Sequence, residues 1–311
     1  MKLSYVFTTY NKLDFLKVAL PKLVANKGAD EEIVVTDGGS TDGSCEYLTE
    51  AKRCGDIDQF LSEPDKGEAH GYNRALLLAK GDLIKFVTDD DVYDWSHVRR
   101  CRAFMERQSE VDVIATDGLQ IWREADGSIG ESVLRLADAY LCSVNGGDAF
   151  KVPGVGLMLR RESLALLGLL SCRHVAVDTE FGMRIQTGQA IFGWYTGVSW
   201  ARVLNVRSNG FTQEERIRNE KRQLDQYYGV GPWSLGLPGQ WKWITRETAV
   251  FLKNRFTGQE AGNGRRDDMA FDAKEQGQGG YAYAFESLES RLSEMSNDMP
   301  GEFLLGSERF K

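Results

Sequence analysis

Short apolar runs alternate with helical patterns through the first half of the chain. The runs are continuous, as in LSYVF at residues 3–7 and DLIKFV at residues 82–87, and the segments between them repeat apolar residues at helical spacing. Buried strands separated by amphipathic helices are typical of βαβ units, in which a mainly parallel sheet carries helices on both faces. The sequence therefore predicts an α/β open sheet.

Polar residues follow each of the four predicted strands. In an open sheet of this kind, ligands bind in the crevice outside the carboxyl ends of the strands. We therefore expect one crevice that is lined by the residues directly after the strands. In chain order, these are Thr8, Thr9, Tyr10 and Asn11, then Asp37 in VVTDGGSTDGS, then Asp65 and Lys66, and last Asp89, Asp90 and Asp91.

The composition limits the partners and the compartment of the protein. The formal net charge of −8 over 311 residues argues against nucleic acid as a partner, because an acidic surface repels phosphates. The five cysteines form no CxxC pair and are expected to be reduced. The N-terminus has no signal-peptide pattern, and no apolar stretch is long enough to span a membrane. We expect a cytoplasmic protein that is at most peripheral on a membrane.

The middle of the chain is predicted to extend the same sheet. Residues 111–130 indicate a strand and a hairpin, with Asp126-Gly127 as the turn. Residues 153–170 indicate a strand that runs into a helix, and residues 176–188 indicate a loop and a second helix.

The last part of the chain has a different pattern. Helical periodicity covers residues 213–228, 240–256 and 283–296, whereas residues 258–281 are rich in Gly, Gln and charge. Residues 240–256 combine aromatic and basic side chains, as in a helix at a membrane surface, or in one that packs on the protein or forms a homodimer. We expect a helical extension with a flexible segment near 258–281.

The three adjacent carboxylates Asp89, Asp90 and Asp91 need a cation among them, because like charges repel. Mg²⁺ and Mn²⁺ bind one or two carboxylates and keep other positions open for phosphates. Capping of the next helix by Asp91 or Asp94 explains one carboxylate but not three. Asp90, Asp91 and Asp94 also spell DDxxD, the motif of all-α isoprenoid synthases, but the preceding LIKFV has the composition of a strand.

Four segments, in this order and at these spacings, resemble family 2 glycosyltransferases, an inverting group with the GT-A fold. They are FTTYNK (7–12), VVTDGGSTDGS (34–44), EPDKGEAHGYNRALLLAKGDLIKFVTDDDVY (63–93) and AVDTEFGMR (176–184). The resemblance is continuous to about residue 95, looser to about residue 205 and absent beyond. It implies a GT-A catalytic domain at residues 1–210, with a nucleotide-binding half (1–110) and an acceptor-binding half (111–210), before the helical extension at 211–311.

The resemblance also implies a role for each strand-end residue. Thr8, Thr9, Tyr10 and Asn11 match the nucleotide-contacting end of the first strand, where Tyr10 would stack on the base. Asp37 matches the carboxylate that reads uridine, and Asp65 and Lys66 match the loop beside the ribose and diphosphate. The TDDD stretch matches the DxD element, which binds Mn²⁺ or Mg²⁺ and helps to orient the donor. Two registers stay open: Asp89 with Asp91, or Thr88 in the first position with Asp90 as the principal ligand.

The family's catalytic base is an acidic residue, usually in a Glu-Asp pair with Arg six positions later. Here Asp178 and Arg184 match, while Val177 replaces the usual Glu and Glu180 is the reserve. Capping of the following helix is an alternative role for Asp178 that is compatible with catalysis.

The family resemblance implies transfer of a sugar, with inversion, from a nucleotide-diphosphate donor to an acceptor hydroxyl. The expected donor is a UDP-sugar, and the expected acceptor is a saccharide or a lipid-linked saccharide. A nucleotidyltransferase on the same fold is disfavoured, because TTYNK replaces its glycine-rich phosphate loop. A catalytically inactive sugar-nucleotide-binding or assembly subunit is the alternative, because Val177 replaces the usual Glu.

Overall fold

The structure is a computed structural model that describes residues 2–124, 128–205, 207–231, 271, 280–298 and 301–310. The predicted turn at Asp126-Gly127, the predicted helix at 240–256 and most of the segment 258–281 lie outside these residues.

Eleven strands in this part of the chain form one mixed sheet, with the order β11-β10-β9-β6-β8-β4-β1-β2-β3 and with β5 and β7 paired to β9 and β6. The strands are β1 Leu3–Thr9, β2 Glu31–Asp37, β3 Gln59–Ser62, β4 Leu83–Phe86, β5 Val92–Tyr93, β6 Val113–Arg123, β7 Ile129–Leu134, β8 Met158–Arg160, β9 Phe192–Val203, β10 Phe303–Leu305 and β11 Glu308–Phe310. The described α-helices, numbered in chain order, are α1 Leu13–Asn26, α2 Ser44–Cys54, α3 Glu68–Leu78, α4 Trp95–Arg107, α5 Ala137–Val144, α6 Leu164–Leu167, α7 Val177–Thr187, α8 Asn209–Thr212, α9 Glu214–Tyr227 and α10 Tyr281–Asp298.

The first four strands are parallel, as the sequence predicts, and α1, α2 and α3 connect them. Helix α1 buries Leu16, Leu20 and Leu23, which repeat at helical spacing and pack in the same core cluster as β1 and β2. Full burial of one such side chain contributes about 1.5–3 kcal/mol. The carboxyl ends of β1, β2, β3 and β4 therefore meet at one edge of the sheet.

Strand β6 differs from the prediction of a strand followed by a separate hairpin. It runs without a break from Val113 to Arg123 and pairs antiparallel with β7, so the hairpin itself is confirmed. Gly118 lies within the strand, and its lack of a side chain leaves room for the Trp200 ring of β9. A Cβ atom at this position would lie 2.1 Å from the Trp200 ring.

The C-terminal region is helical in part. Helices α9 and α10 confirm the patterns at 213–228 and 283–296. The sequence did not predict β10 and β11, which extend the sheet beyond β9. Helix α10 also packs in a core cluster with Phe15 of α1 and Val92 of β5, next to the aspartate loop. Helix α10, near the end of the chain, therefore packs against elements from the first half of the sequence.

Candidate active site

A cavity of about 860 Å³ opens at the carboxyl ends of the parallel strands. Most of the predicted site residues meet in its wall: Thr8, Thr9, Tyr10, Asp65, Asp89, Asp90, Asp91 and Asp178. Asn11, Asp37 and Lys66 are not part of the wall. The single crevice expected from the four strand ends is therefore present.

Asp89 and Asp90 share one cation, the ammonium of Lys12. Lys12 Nζ lies 3.1 Å from Asp89 Oδ1 and also donates to Asp90 Oδ2. Thr9 donates to the other oxygen of Asp89 over 2.6 Å, and Asn205 Nδ2 donates to Asp90 over 2.9 Å. Burial opposes ionisation of Asp90, but Lys12 overcomes this effect and lowers the pKa of Asp90. Lys12 therefore holds the two carboxylates side by side in the wall of the cavity.

Asp91 has a different environment, although it is adjacent in sequence. Its carboxylate accepts hydrogen bonds from Thr88 Oγ1 over 2.9 Å and from the Val203 backbone N–H over 3.3 Å. Burial, and then the nearby charge of Asp90, raise the pKa of Asp91 to about 7. Asp91 therefore joins the loop to β9 and does not share the Lys12 cation.

The ends of the aspartate loop are fixed by two further contacts. Asp94 is the N-cap of α4 and accepts a hydrogen bond from the His97 backbone N–H over 3.0 Å, as the capping alternative predicts for one carboxylate. Tyr281 of α10 donates to the backbone oxygen of Asp90 over 2.8 Å. Asp90 and Asp91 lie in the loop between β4 and β5, not in a helix, which is inconsistent with the DDxxD interpretation.

The loops after β1 and β2 present one exposed aromatic ring beside rigid polar contacts. The Tyr10 side chain is 60% exposed at the cavity wall, so a ring could stack on it. Asp37 is buried and accepts hydrogen bonds from the backbone of Gly39 and Ser40 and from the Ser40 and Ser62 hydroxyls. Its carboxylate therefore holds the glycine loop that forms part of the wall.

Asn11 and Lys66 lie beside the wall in this structure. Asn11 has a φ of 53°, and its side chain accepts a hydrogen bond from the Thr41 backbone N–H over 2.8 Å. Lys66 is exposed, and its backbone N–H donates to His70 Nδ1 over 3.1 Å. Both residues lie in loops that carry wall residues, so they shape the cavity through the backbone.

Asp178 and Glu180 have separate environments at the start of α7. Asp178 lines the cavity beside Gly154, where an added Cβ atom would come within 3.2 Å of the Asp178 Cβ. Its carboxylate also accepts a hydrogen bond from the Thr179 backbone N–H over 2.7 Å. Glu180 is buried and forms two hydrogen bonds of 2.9 Å with Arg184. Only Asp178 faces the cavity.

Several wall residues were not identified from the sequence. Glu68, in the first turn of α3, accepts a hydrogen bond of 2.6 Å from Asn209 of α8. Burial raises the pKa of Glu68 to about 7, and the charge of Asp178 adds to this effect. Arg207 donates to the Asn11 backbone oxygen over 3.1 Å, and Arg202 also lines the cavity. Glu68 could have been identified from the sequence, because it follows Asp65 and Lys66 in the DKGE segment. No pattern in the sequence indicated the wall residues after β9.

The aspartate loop fits one type of divalent-ion site. Mg²⁺ is usually held by one or two protein carboxylates, with water and substrate phosphates at its other positions. Asp89 and Asp90 converge on one cation in this way. Among the residues that the structure describes, no group of three His, Cys, Asp or Glu side chains has metal-binding geometry.

The architecture matches that of solved structures, one of which is a sugar-transferring enzyme. The mannosyltransferase PcManGT from Pyrobaculum calidifontis, solved with GDP-Man and Mn²⁺, aligns with a TM-score of 0.52 over 93% of this chain and 86% of that chain, at 15% identity. A mycobacterial protein aligns with a TM-score of 0.50 over 74% of this chain and 75% of that chain, also at 15% identity. The fold is the GT-A fold of glycosyltransferases, as the sequence predicts.

Family models match the sequence over both halves. The glycosyl transferase family 2 model matches residues 4–125, and the glycosyl transferase family group 2 model matches residues 83–257, which is more than half of the chain. The chain belongs to the family 2 glycosyltransferases.

Curated relatives agree with this family. An uncharacterized glycosyltransferase of Nostoc sp. is 27% identical over 115 residues, which cover 37% of this chain and 36% of the relative. An uncharacterized glycosyltransferase of Haemophilus influenzae is 23% identical over 215 residues, which cover 67% of this chain and 83% of the relative. The match thus spans little more than a third of the Nostoc protein and most of the Haemophilus protein. Within the described residues, no helix has the length and apolar character needed to cross a membrane.

Proposed function

We propose that this glycosyltransferase moves a sugar from a nucleotide-diphosphate donor to an acceptor hydroxyl, with inversion of the anomeric centre. The first candidate donor is a UDP-sugar. One observation carries the proposal: the Asp89–Asp90 pair and Asp178 line the same cavity at the strand ends. The Asp89–Asp90 pair is suited to hold the counter-ion of a diphosphate, and Asp178 is suited to act as a general base on the acceptor hydroxyl. Both functions are needed for sugar transfer from such a donor.

Asp90 is the proposed principal ligand of Mn²⁺ or Mg²⁺, as in the register that has Thr88 in the first position, and Asp89 is the proposed second carboxylate. This register is preferred because Asp91 is bonded to Thr88 and the β9 backbone instead. When bound, a divalent ion would neutralise charge that develops on the leaving diphosphate. Arg202 and Arg207 in the cavity wall offer further positive charge to the phosphates.

The nucleoside end of the donor is assigned to the loops after β1, β2 and β3. Tyr10 offers an exposed ring for the base, while Thr8 and Asp65 line the adjacent wall. Gly71 brings α3 against β1 here, since an added Cβ atom would lie 1.9 Å from Thr8 Oγ1. The proposed contribution of Asp37 is to hold the glycine loop that would face the nucleobase.

Asp178 is the proposed general base, which accepts the proton of the attacking hydroxyl. The turn at Gly154–Gly156 lies against it, and Lys85 holds this turn by donating to the backbone oxygens of Val155 and Leu157. An acceptor hydroxyl between this turn and Asp178 would attack from the side away from the diphosphate, with inversion. A saccharide or a lipid-linked saccharide is the proposed acceptor class.

A nucleotide screen is the first test of this proposal. A ligand that binds only the folded state raises its stability, so we would measure thermal unfolding with UDP, GDP and dTDP sugars, with and without Mn²⁺. We expect stabilisation by at least one of these nucleotides that requires the ion. Absence of any nucleotide-dependent shift in the presence of Mn²⁺ would contradict the proposal.

The variant Asp178→Asn tests catalysis separately from binding. Because it removes a general base and keeps the side-chain size, we expect kcat to fall by about 10²- to 10⁴-fold with little change in nucleotide affinity. Asp56→Asn, on the exposed surface after α2, is the matched control. If the parent turns over no donor, and if parent and variant bind UDP equally well, the result would instead support an inactive sugar-nucleotide-binding subunit, the alternative that Val177 suggests.

A further inference from the structure

The position of Lys12 suggests a role that the family assignment does not supply. Lys12 immediately precedes α1, and its backbone oxygen accepts hydrogen bonds from Phe15 and Leu16 over 3.1 and 3.0 Å. The backbone is therefore fixed, while the side chain extends into the cavity wall. There its ammonium pairs with Asp89 and Asp90, and only 16% of the side chain is exposed.

A divalent ion held by Asp89 and Asp90 would compete with this ammonium for the same two carboxylates. One oxygen from each carboxylate, Asp89 Oδ1 and Asp90 Oδ2, points at Lys12 Nζ. An ion that bridges the same two carboxylates would lie next to this ammonium. Two cations in one partly buried site repel each other strongly, because the local dielectric constant is lower than that of water. Entry of the ion therefore requires the lysine side chain to move.

A nucleotide diphosphate offers the displaced ammonium a new partner. A lysine side chain is flexible and carries three donors, so it can turn about its own stem without a change in the backbone. Asp65, Arg207 and Lys12 all line the cavity, so a ligand bound there lies within the space that the lysine borders. Phosphate oxygens would then take over the role of the two carboxylates.

A second buried lysine, Lys85, has hydrogen-bond partners of a different kind. Lys85 donates to the backbone oxygens of Val155 and Leu157 and does not line the cavity. Lys12 has carboxylates as its hydrogen-bond partners, and these are the residues proposed to hold the ion. The difference favours an exchangeable role for Lys12.

We propose, on the basis of the proposed function, that Lys12 is a resident cation that the divalent ion displaces and the nucleotide diphosphate captures. Metal and nucleotide then bind cooperatively, because each removes an obstacle for the other. Metal alone must displace the ammonium without giving it a partner, so metal alone binds weakly. Lys12 is thus a positioning residue that couples the two ligands.

The test measures Mn²⁺ binding directly, by calorimetry or by electron paramagnetic resonance, in the presence and absence of UDP. In the parent, we expect UDP to tighten Mn²⁺ binding by about tenfold or more, a typical coupling between two sites. In Lys12→Met, we expect Mn²⁺ alone to bind about tenfold more tightly than in the parent, with most of the coupling lost. Lys22→Met is the matched control, because it removes an ammonium that pairs with Glu289 at 2.7 Å outside this cavity.

A second variant and a measurement of stability distinguish an effect of the lysine charge from an effect of misfolding. Lys12→Gln keeps a hydrogen-bond donor without the charge and should show the same gain in Mn²⁺ affinity. In both variants, Mn²⁺ alone should raise the unfolding temperature more than it does in the parent.

The possible results separate the two proposals. Unchanged Mn²⁺ affinity in folded Lys12→Met, with coupling retained, would overturn the role of Lys12 and leave the proposed function intact. Loss of UDP binding in Lys12→Met, with no Mn²⁺ effect in either protein, would mean that Lys12 itself serves as the cation and would also overturn the inference. Failure of the parent to bind any of the screened nucleotides with Mn²⁺ would overturn the proposed function.

Discussion

Asn209 donates a hydrogen bond of 2.6 Å to Glu68, and this contact joins two segments that are 141 residues apart in the chain. Glu68 begins α3, which follows the third parallel strand, and Asn209 begins α8, which follows β9. Both residues line the cavity, and the charges of Asp178, Lys12 and Asp89 all act on Glu68. Glu68 therefore shares the cavity with the proposed base and the proposed diphosphate site and is influenced by the charges of both.

The ionisation of Glu68 should make nucleotide affinity depend on pH. Burial raises its pKa from 4.5 to about 7, so the carboxyl is neutral at pH 6 and charged at pH 8. A charged Glu68 repels a diphosphate, and we expect the dissociation constant of UDP with Mn²⁺ to be about three- to tenfold higher at pH 8 than at pH 6. Calorimetry at the two pH values measures this ratio.

Glu68→Gln provides the internal comparison for this effect. The variant keeps an acceptor for Asn209 but cannot ionise. The ratio of its UDP dissociation constants at pH 8 and pH 6 should therefore reflect only the titration of the nucleotide and of other groups. The same ratio in parent and variant would show that Glu68 has no influence on the donor.

Glu180→Gln should affect stability and not chemistry. Glu180 pairs with Arg184 through two hydrogen bonds of 2.9 Å and also accepts one from Tyr228 over 3.2 Å. Since the pair is only partly exposed, its loss should cost about 1–3 kcal/mol of unfolding free energy, measured by denaturant titration. The exposed pair of Glu50 with Arg53 is the control, and Glu50→Gln should leave stability nearly unchanged. A hundredfold fall in kcat at unchanged stability would make Glu180 the base in place of Asp178.

The parallel half of the fold could be predicted because its signals are local. The runs of β1 and β4 are almost entirely buried, and Tyr10 and Asp89 lie within three residues of the strand ends, so strand and site residues are neighbours in sequence. The position of Asp178 came from the resemblance to a family motif. The structure adds that Asp178 faces the cavity while Glu180 does not.

Other parts of the site depend on contacts between distant segments and had no signal in the sequence. The pairing of Lys12 with Asp89 joins residues 77 positions apart, and a lysine in a loop is ordinarily a solvated charge. Strands β10 and β11 have three residues each, which is too short for a period of two to be recognised. Their pairing with β9 is a tertiary effect.

Tyr281→Phe tests whether α10 stabilises the aspartate loop. The hydroxyl of Tyr281 is buried and donates to the backbone oxygen of Asp90 over 2.8 Å, so its removal leaves that oxygen without this partner. We expect a loss of about 1–2 kcal/mol of unfolding free energy. Tyr283→Phe is the matched control, because it makes the same change on the same helix at a side chain that is 41% exposed. Equal losses in the two variants would exclude a specific role for the Tyr281 hydroxyl.

Asp117 should make the stability of the protein fall as the pH rises through the acidic range. It is 2% exposed in β6, and its Oδ1 accepts hydrogen bonds of 2.9 Å from Trp194 Nε1 and from the Leu136 backbone N–H. Burial raises the pKa of Asp117 from 3.8 to about 6, so the folded state binds more protons than the unfolded state between these values. The contribution of the neutral acid is complete below about pH 4 and is lost as the pH passes about 6, which amounts to about 1–3 kcal/mol.

Asp117→Asn isolates this contribution, because an amide oxygen can accept both hydrogen bonds and the side chain cannot ionise. Relative to the parent, the variant should gain about 1–3 kcal/mol of unfolding free energy between pH 4 and pH 7, measured by denaturant titration at each pH. Asp56→Asn, which changes the same charge on the exposed surface, should follow the parent profile. If the difference between Asp117→Asn and the parent does not change with pH, burial of Asp117 does not govern its ionisation in the folded protein.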